Sequence, residues 1–344
     1  MLSQGMNRSS VRAPVRIDFC GGFTDVADVA AVTGTAVVNA AVDLYEDKDR
    51  TQPVDLSVEL VELALGDAPT LPEVNNDELM LASLTEYVRQ DIDCRRALRI
   101  HRGLPMSTGL GSSATLSVML IAAWLVSSGR RWRDARELAE LARDFECRFL
   151  GVQGGYQDFA SAAAGGYHRF VEKVGHGDAR TERRHLPPRF IRYFDRATFV
   201  LIAPRRCSSS EIISDVVTRL NSDPELISRL RKIIACNEQF DQAISGDDLD
   251  SALTIVEKAA ELRRGISTYA ANPTLDNVRE ELHKLYRTAH ETGAGGAAIV
   301  IYGKEDALEP LERRILGLAR ELGLHTLFPK LNNVGVQVQC RSTP

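Results

Sequence analysis

The chain has 344 residues, of which 44% are hydrophobic and 26% charged, and its 42 Lys and Arg against 47 Asp and Glu give a formal net charge of −5. This composition is that of a globular protein and excludes a disordered or fibrous chain, while the length suggests two domains. The mild acidity argues against a nucleic-acid binder, which usually carries a basic excess, but it does not exclude a local anion site.

The six cysteines are scattered along the chain and none forms a Cys-x-x-Cys pair, so neither a zinc ribbon nor a thioredoxin-like site is predicted. Free thiols fit a reducing compartment. The first ten residues lack the apolar core of a signal peptide, and no apolar run approaches the roughly 20 residues that span a bilayer. We therefore expect a cytoplasmic protein that binds neither membranes nor nucleic acids.

Apolar residues that recur at every second position predict strands, and those that recur every three to four positions predict helices. Strands are expected over residues 11–19, 35–44, 54–65, 97–101, 197–203, 297–302 and 334–339. Helices are expected over residues 77–88, 114–127, 133–150, 159–164, 209–219, 224–245, 249–269, 273–291 and 305–322. Because strands and helices mix without strict alternation, we predict an α+β fold rather than a doubly wound sheet. A charged, proline-containing segment over residues 175–193 predicts a boundary between domains at 11–190 and 191–344.

The most informative segment is a glycine- and serine-rich loop over residues 104–114, Leu-Pro-Met-Ser-Thr-Gly-Leu-Gly-Ser-Ser-Ala, between a predicted strand and an apolar helix. Gly109 and Gly111 let the backbone approach a ligand closely. Successive N–H groups and the positive end of the following helix then favour a polyphosphate. Ser112 and Ser113 are placed either to cap that helix or to offer a hydroxyl to Mg²⁺.

Three interpretations of this loop compete. The simplest is an ordinary helix N-terminus, where Ser and Gly are common. A dinucleotide fingerprint would require a second strand that ends in an acid about 20 residues later, whereas residues 129–134 read Gly-Arg-Arg-Trp-Arg-Asp. A P-loop would require a Lys that this loop lacks. Walker A is therefore excluded, and the loop favours phosphate binding without deciding the family.

Three segments in chain order resemble the motifs of the GHMP kinases, the superfamily of galactokinase and of homoserine, mevalonate and phosphomevalonate kinases. Residues 13–25 (APVRIDFCGGFTD) resemble the first motif. Residues 105–114 match the second, P-x-x-x-G-L-G-S-S-A, at every fixed position. Residues 293–298 (GAGGAA) look like a shortened third motif. The resemblance runs from about residue 11 to residue 338 and implies two α+β domains with ATP and a sugar in the cleft between them.

Within this superfamily, the details resemble kinases that act on the anomeric hydroxyl of sugars. Residues 12–25, residues 154–158 (GGYQD) and residues 206–212 (RCSSSEI) are similar to the heptose-7-phosphate kinase and fucokinase branch. The chain departs from that branch at Phe23, where heptose kinases usually have Gly and fucokinases usually have Trp. The third motif also lacks an extra Gly-Ala and a Lys, and residues 46–73 fit neither kind of kinase.

The resemblance also implies roles for individual residues. Asp158 is the candidate base that takes the proton of the sugar hydroxyl, and Arg16 would steady both that carboxylate and the transferring phosphoryl group. Ser112 and Glu146 would hold Mg²⁺. The expected ATP contacts are Pro105, Ser107, Thr108, Gly109, Leu110, Gly111, Ser112, Ser113 and Ala114. The expected sugar contacts are Asp25, Gly22, Thr24, Gly155, Tyr156, Arg206, Gly293 and Gly295.

Several of these residues also have an ordinary structural interpretation. Asp158 stands just before an apolar helix and is a candidate N-cap. Asp25 follows a glycine turn and is a candidate turn residue. Glu146 is a candidate ion-pair partner of Arg143 or Arg148.

The sequence thus predicts an ATP- and Mg²⁺-dependent kinase that phosphorylates the C1 hydroxyl of a sugar or sugar phosphate. The heptose 7-phosphate type comes first, and fucose or another C1 sugar comes next. A non-catalytic sugar- or nucleotide-binding regulator on the same fold is the alternative from another class. The ATP-dependent diphosphomevalonate decarboxylases lack the Gly-Gly-x-Thr-Asp turn, which counts against that activity here. The expected partners are small molecules, and a homodimer is compatible with the chain.

Overall fold

The computed structural model describes residues 8–62, 96–105, 108–149, 151, 154–172, 180–204, 209–267, 272–293 and 297–341. The strands in this part of the chain are β1 (Arg8–Arg12), β2 (Val15–Cys20), β3 (Thr35–Tyr45), β4 (Leu56–Glu62), β5 (Arg96–Arg102), β6 (Tyr167–Glu172), β7 (Arg180–Arg184), β8 (Thr198–Ile202), β9 (Tyr286–Glu291), β10 (Ala298–Gly303), β11 (His325–Leu331) and β12 (Gln337–Arg341). The α-helices there are α1 (Ala27–Thr33), α2 (Ser112–Ser127), α3 (Ala135–Asp144), α4 (Gln157–Ala164), α5 (Pro188–Ala197), α6 (Ser209–Arg219), α7 (Pro224–Ser245), α8 (Leu249–Arg264), α9 (Pro273–Leu282) and α10 (Leu308–Leu322). A π-helical turn, Phe145–Phe149, follows α3, and a 3₁₀ turn, Glu305–Ala307, precedes α10.

Two antiparallel sheets organise these elements. The smaller has the strand order β12-β1-β4-β5, and the larger has the order β7-β6-β3-β11-β8-β10-β9 with β2 also paired to β3. Strand β3 is central because Val42 has partners on both of its edges, Val15 in β2 and Leu331 in β11. The mixture of helices with antiparallel strands confirms the predicted α+β class.

Strands from both ends of the chain share each sheet. In the larger sheet β11 lies between β3 and β8, and in the smaller sheet β12 pairs with β1. The larger sheet therefore contains strands from both sides of residue 190. The division into domains at 11–190 and 191–344 stays a prediction.

The strand predicted over residues 11–19 is two strands, one in each sheet. Ala13 and Pro14 interrupt it, because proline has no backbone N–H to donate to a ladder. The carbonyl of Pro14 instead accepts a hydrogen bond from Thr115 Oγ1 at 3.0 Å, which ties this crossing to α2. The crossing places β2 beside the start of α2.

The helix predicted over residues 273–291 is wrong in its second half. Helix α9 ends at Leu282, and β9 follows it and pairs with β10. Tertiary pairing with a buried strand overrides the local helical spacing there. Residues 175–193, which the sequence marked as a boundary, include β7 and the first half of α5. The helix predicted over residues 77–88 lies outside the described residues.

A cluster of aromatic rings joins β2 to helices that lie far along the chain. The ring of Phe19, 1% exposed, lies 5.7 Å from Phe190 and 6.1 Å from Phe194 of α5, and 5.2 Å from Phe240 of α7. Such ring contacts stabilise the fold beyond the contribution of burying the rings.

None of the helices in the described part of the chain combines the length and the apolar character that a membrane crossing requires.

Phe19→Ala should lower the free energy of unfolding by about 3–5 kcal/mol, since it opens a cavity among the aromatic rings of α5 and α7. Urea denaturation followed by tryptophan fluorescence measures the change. Val334→Ala is the control, because that side chain is 64% exposed, and its effect should stay within about 0.5 kcal/mol. Equal effects of the two substitutions would show that the aromatic cluster does not hold β2 in place.

Candidate active site

The central feature of the site is an ion pair between Arg16 on β2 and Asp158 at the start of α4. Arg16 Nε donates to Asp158 Oδ1 at 2.7 Å and Arg16 Nη2 donates to Oδ2 at 3.1 Å, the two-pronged geometry of a strong arginine–carboxylate contact. The side chain of Arg16 is 5% exposed and that of Asp158 is 24% exposed. Burial by itself would lower the pKa of Arg16, but the charges of Asp158 and Asp18 outweigh it and raise that pKa.

Asp158 does not cap its helix. Helix α4 begins at Gln157, and its N-cap residue, Tyr156, makes no side-chain capping hydrogen bond. Asp25 supplies the missing acceptor from outside the helix: its Oδ2 accepts from the backbone N–H of Gln157 at 3.3 Å, and its Oδ1 accepts from Gln157 Nε2 at 3.1 Å. The carboxylate of Asp25, which belongs to the first motif, thus fixes the position of the turn that carries Asp158.

Gly155 makes this approach sterically feasible. A Cβ at position 155 would lie 1.7 Å from Asp25 Oδ2. Burial, together with the charge of Asp158, raises the pKa of Asp25 to about 7. Asp25 and Tyr156 line a cavity of about 780 Å³, a volume suited to a small-molecule ligand. Burial raises the pKa of the Tyr156 phenol to about 12, so that hydroxyl is a hydrogen-bond donor at neutral pH.

A chain of buried amides holds Gln157 in one orientation. Asn39 Nδ2 donates to Gln157 Oε1 at 2.9 Å, and Ser161 Oγ donates to Asn39 Oδ1 at 2.7 Å. All three side chains are at most 4% exposed. Because the amide oxygen of Gln157 accepts from Asn39, its nitrogen faces Asp25. Sequence analysis missed Gln157 and Asn39, although Gln157 directly precedes the candidate base.

The glycine loop ends against the ion pair. Gly109 and Gly111 have φ angles of +86° and +75°, a left-handed conformation that favours glycine. A Cβ at Gly111 would lie 3.3 Å from Arg16 Cγ and 3.5 Å from Asp158 Cγ. Arg16 also donates from Nη1 to the carbonyl of Gly109 and from its backbone N–H to the carbonyl of Leu110, the latter at 2.9 Å.

The helix that follows the loop begins with uncapped N–H groups. Helix α2 starts directly after Gly111, which offers no side chain, and its first turn contains no acidic residue. The first N–H groups of a helix have no partner within it and carry partial positive charge. Together with Arg16, this end of α2 can bind an anion such as a phosphate.

The remaining loop residues have distinct surroundings. Leu110 and Ala114 are buried in the hydrophobic core, so only their backbone atoms can face a nucleotide. Thr108 is 1% exposed, and its Oγ1 accepts from the backbone N–H of Leu110 at 3.4 Å. Pro105 is exposed and Ser112 is buried at the first position of α2. Ser107 lies outside the described residues.

Glu146 is a buried carboxylate within reach of the same helix. It lies in the π-helical turn, is 5% exposed, and accepts from Ser113 Oγ and from Ser117 Oγ, each at 2.7 Å. Burial raises its pKa although both serine hydrogen bonds oppose the rise. The alternative ion pair with Arg148 does not form, since Arg148 pairs with Asp144 at 2.8 Å. No hydrogen bond joins Ser112 to Glu146 in the described part of the chain; Ser113 occupies that position.

The third motif meets the second one backbone to backbone. A Cβ at Gly109 would lie 2.0 Å from the carbonyl oxygen of Thr292, and a Cβ at Gly293 would lie 2.2 Å from that of Gly109. Gly293 has a φ of +64°, and Thr292 Oγ1 lies 3.5 Å from Arg16 Nη1. Gly293 therefore packs directly against the backbone of the glycine loop. Gly295 and Arg206 lie outside the described residues.

Two residues expected at the sugar, Thr24 and Gly22, make close contacts within the protein. Thr24 is fully buried, and its Oγ1 donates to the carbonyl of Gly21 at 2.7 Å, which closes the turn of the first motif. Gly22 makes room for a buried carboxylate, because a Cβ there would lie 2.2 Å from Asp18 Oδ2. Both partners lie within the first motif itself, so these roles follow from how the motif folds rather than from its residue types.

Sequence analysis also missed a buried ion pair beneath the site. Asp18 on β2 is 0% exposed and accepts from Arg263 of α8 at 2.9 Å. The available signal was a charged residue on a strand that is otherwise apolar, since a buried charge requires a partner.

Among the described residues, no group of three or more His, Cys, Asp and Glu side chains is arranged to hold a metal ion.

Comparison with known proteins confirms the resemblance to the GHMP kinases. Residues 79–166 match the sequence profile of the GHMP kinases N terminal domain, and this segment contains the glycine loop, Glu146 and Asp158. A bifunctional fucokinase/GDP-fucose pyrophosphorylase from Arabidopsis thaliana is 23% identical over 328 residues, which are 89% of this chain. The chain spans 31% of the length of that plant protein.

Solved structures share the fold. A structure from Campylobacter jejuni, provisionally described as a sugar kinase, has a TM-score of 0.73 at 18% identity and covers 98% of this chain and 100% of its own. A D-glycero-D-manno-heptose 1-phosphate kinase from Bacteroides thetaiotaomicron has a TM-score of 0.69 at 15% identity, with coverage of 98% and 100%. The chain therefore has the α+β fold of the GHMP kinases, as the sequence predicted.

Asp25→Asn should remove a pH dependence of stability. An unperturbed aspartate has a pKa of 3.8, whereas Asp25 in the folded protein has a pKa of about 7. Between these two pH values, the folded protein therefore binds more protons than the unfolded protein. The free energy of unfolding should then fall as the pH rises from about 4 to 7, by at most about 4 kcal/mol. Urea denaturation of both proteins between pH 5 and pH 8 measures the difference in slope.

The control for this experiment is Asp28→Asn, which changes an exposed carboxylate on α1. Its stability profile should run parallel to that of the unmodified protein. A parallel profile for Asp25→Asn as well would contradict the raised pKa of Asp25.

Proposed function

We propose that the protein transfers the γ-phosphoryl group of ATP to the anomeric C1 hydroxyl of a sugar or sugar phosphate. The observation that carries this proposal is the ion pair of Arg16 with Asp158, set directly against the glycine loop at Gly109 and Gly111. A carboxylate, a guanidinium and a phosphate-binding loop in contact are the groups that phosphoryl transfer requires, since this reaction depends on positioning and charge stabilisation.

The chemical step assigns one role to each of these groups. The acceptor oxygen forms a bond to the γ-phosphorus, the bond from that phosphorus to the β–γ bridging oxygen breaks, and ADP leaves. The proton of the acceptor hydroxyl moves to Asp158, the partly exposed member of the pair. Arg16 holds Asp158 and balances the negative charge on the transferring group. The N–H groups at the start of α2 bind the phosphates.

Mg²⁺ fits the oxygen donors around Glu146. The buried Glu146 carboxylate accepts from two serine hydroxyls, and among the described residues it has no cationic partner. Carboxylate and hydroxyl oxygens suit a small divalent cation, which usually binds through one or two protein ligands together with substrate phosphates. The hydrogen bond from Ser113 supports that serine as the partner of Glu146, with Ser112 as the alternative. Mg²⁺ would neutralise negative charge on the triphosphate.

The nature of the acceptor is inferred from the cavity and from the relatives. Asp25, Tyr156 and Gln157, the residue before Asp158, line the cavity of about 780 Å³, whereas Arg16, Asp158 and the described residues of the glycine loop do not. The carboxylate and the phenol suit the hydroxyl groups of a sugar that reaches Asp158 from this side of α4. The plant relative is named a fucokinase and one structural neighbour a heptose 1-phosphate kinase. We propose the heptose 7-phosphate type as the first acceptor to test, and fucose or another C1 sugar as the second.

Asp158→Asn should lower turnover by about 10²–10⁴-fold, since it removes the proton acceptor. Binding of a non-hydrolysable ATP analogue should change little, because the loop and α2 are untouched. Coupled measurement of ADP release gives turnover, and calorimetric titration gives nucleotide affinity. Asp43→Asn is the matched control: that partly buried carboxylate accepts from Asn332 at 2.9 Å, away from Arg16. Full turnover of the Asp158→Asn protein would overturn the assignment of the base.

Glu146→Gln should raise the Mg²⁺ concentration required for half-maximal turnover by about 10–100-fold, because the carboxylate would be lost from the cation's surroundings. Ser113→Ala should shift this concentration in the same direction, whereas Ser112→Ala should not. A shift in Ser112→Ala alone would assign the cation to Ser112, and unchanged Mg²⁺ dependence in all three variants would move the site away from Glu146.

The acceptor is identified by a screen for ADP release across free sugars, sugar phosphates and uronic acids. Phosphorus NMR of the product then locates the new phosphate. A product phosphorylated away from C1 would overturn the anomeric assignment. Saturable binding of sugar or nucleotide without ADP release from any acceptor would instead favour a regulator on this fold.

A further inference from the structure

A buried ion pair connects β2, the strand that carries Arg16, to residues 291–293, which pack against the glycine loop. Arg263 Nη2 of α8 donates to Asp18 Oδ2 at 2.9 Å. The side chains of Asp18 and Arg263 are 0% and 9% exposed. The two residues are separated by 245 positions in the chain. The pair therefore joins elements that only the fold brings together.

Arg263 also holds the backbone on both sides of Thr292. Its Nη1 donates to the carbonyl of Glu291 at 2.6 Å and to that of Gly293 at 3.3 Å. A guanidinium presents its donors in a rigid fork, which lets one side chain serve Asp18 and two carbonyls at once. A lysine ammonium, as a single point of charge, cannot span the same acceptors.

Asp18 contacts the same segment through its backbone. Its N–H donates to Thr292 Oγ1 at 3.2 Å, and its carbonyl accepts from His290 Nε2 at 2.8 Å. The donor must be His290, because a carbonyl only accepts. Burial lowers the pKa of His290 to about 4, so this ring stays neutral near pH 7. Asp18 and Arg16, two positions apart on β2, lie on the same face of the strand.

Residues 291–293 contact the glycine loop, and the glycine loop contacts Arg16. Gly293 packs on Gly109 so closely that a Cβ on either residue would overlap the backbone of the other segment. Gly109 accepts from Arg16 Nη1, and Thr292 Oγ1 lies 3.5 Å from the same atom. A shift of residues 291–293 would therefore move both the phosphate loop and the guanidinium that holds Asp158.

We propose that Arg263, paired with Asp18, is a positioning residue for phosphoryl transfer: it fixes residues 291–293 against Gly109 and so sets the phosphate loop relative to Arg16. This inference rests on the proposed kinase activity. Stability alone does not explain the pair, because a buried ion pair can often be replaced by uncharged residues without loss of stability. What apolar residues cannot replace is the set of donors to the carbonyls of Glu291 and Gly293, which flank Thr292.

The test separates stability from turnover with three variants. Arg263→Met and Asp18→Asn each leave one buried charge unpaired, so both should lower the urea midpoint of unfolding. The double variant leaves no unpaired charge and should recover most of that midpoint. Its kcat should nevertheless stay at least about tenfold below that of the unmodified protein, since the carbonyls of Glu291 and Gly293 still lack their donor. Arg263→Lys should recover stability better than kcat.

The steady-state parameters provide a second signature. Loss of loop positioning should reduce kcat and raise KM for ATP, while KM for the sugar acceptor stays within about twofold. The acceptor side is held by the separate network of Asp25, Gln157 and Asn39, which Arg263 does not touch. A general loss of folded protein would instead lower kcat and leave both KM values unchanged.

The matched control is Tyr193→Phe. The buried Tyr193 hydroxyl donates to the carbonyl of Gly303 at 2.8 Å, so this variant also removes a donor to a backbone carbonyl. In the described part of the chain Tyr193 makes no hydrogen bond to residues 291–293, Arg16 or Gly109. Its loss should lower the unfolding midpoint and leave kcat per folded molecule unchanged.

Two outcomes would overturn the proposal, and both are distinct from failure of the proposed function. Recovery of kcat together with stability in the double variant would show that the pair is structural only. If the unmodified protein phosphorylates no acceptor, the proposed function fails, and hydrogen exchange then tests the positioning by itself. Arg263→Met should speed exchange at residues 109–114 and 288–293 but not in α10; unchanged exchange at residues 109–114 would overturn it.

Discussion

The arrangement of the site depends on satisfying one buried cation, the guanidinium of Arg16. Its side chain is 5% exposed, so each of its donors requires an acceptor inside the protein. Asp158 accepts two of its hydrogen bonds and the carbonyl of Gly109 accepts a third, with Thr292 Oγ1 nearby at 3.5 Å. These three partners lie in three separate segments of the chain: the start of α4, the glycine loop and the residue before the third motif. Because the buried Arg16 requires these acceptors, separate segments of the chain must meet around it.

Glycines make this geometry sterically feasible. At Gly109 and Gly293 two backbone segments lie in contact, and at Gly155 a carboxylate occupies the space of a side chain. At each of these three positions, the group that a Cβ would collide with belongs to the protein itself. The same principle explains Gly22, where the neighbouring group is Asp18. Glycine motifs that sequence comparison associates with ligands thus also serve the packing of the protein against itself.

Three carboxylates around the site have different surroundings and different consequences. Asp158 is held by Arg16 and stays partly exposed, which is compatible with its proposed role as the proton acceptor. Asp25 pins α4 and has a pKa raised to about 7 by burial and by the charge of Asp158. Glu146 is buried against two serine hydroxyls. Placement in the fold rather than residue type separates the helix anchor Asp25 from the proposed base and the proposed cation ligand.

Apolar periodicity and glycine spacing, which are local patterns, determined the α+β class and the glycine loop as a candidate phosphate site. The resemblance to the GHMP kinases, carried by short motifs, implied the pairing of Arg16 with Asp158. The sequence predicted neither β9, whose strand conformation depends on pairing with β10, nor the ion pair of Asp18 with Arg263. Only the tertiary structure decided that Thr24 closes a turn and that Ser113 lies on Glu146. The physical reason is that a buried polar group acquires its role from its partner, and that partner is set by the fold across long separations in the chain.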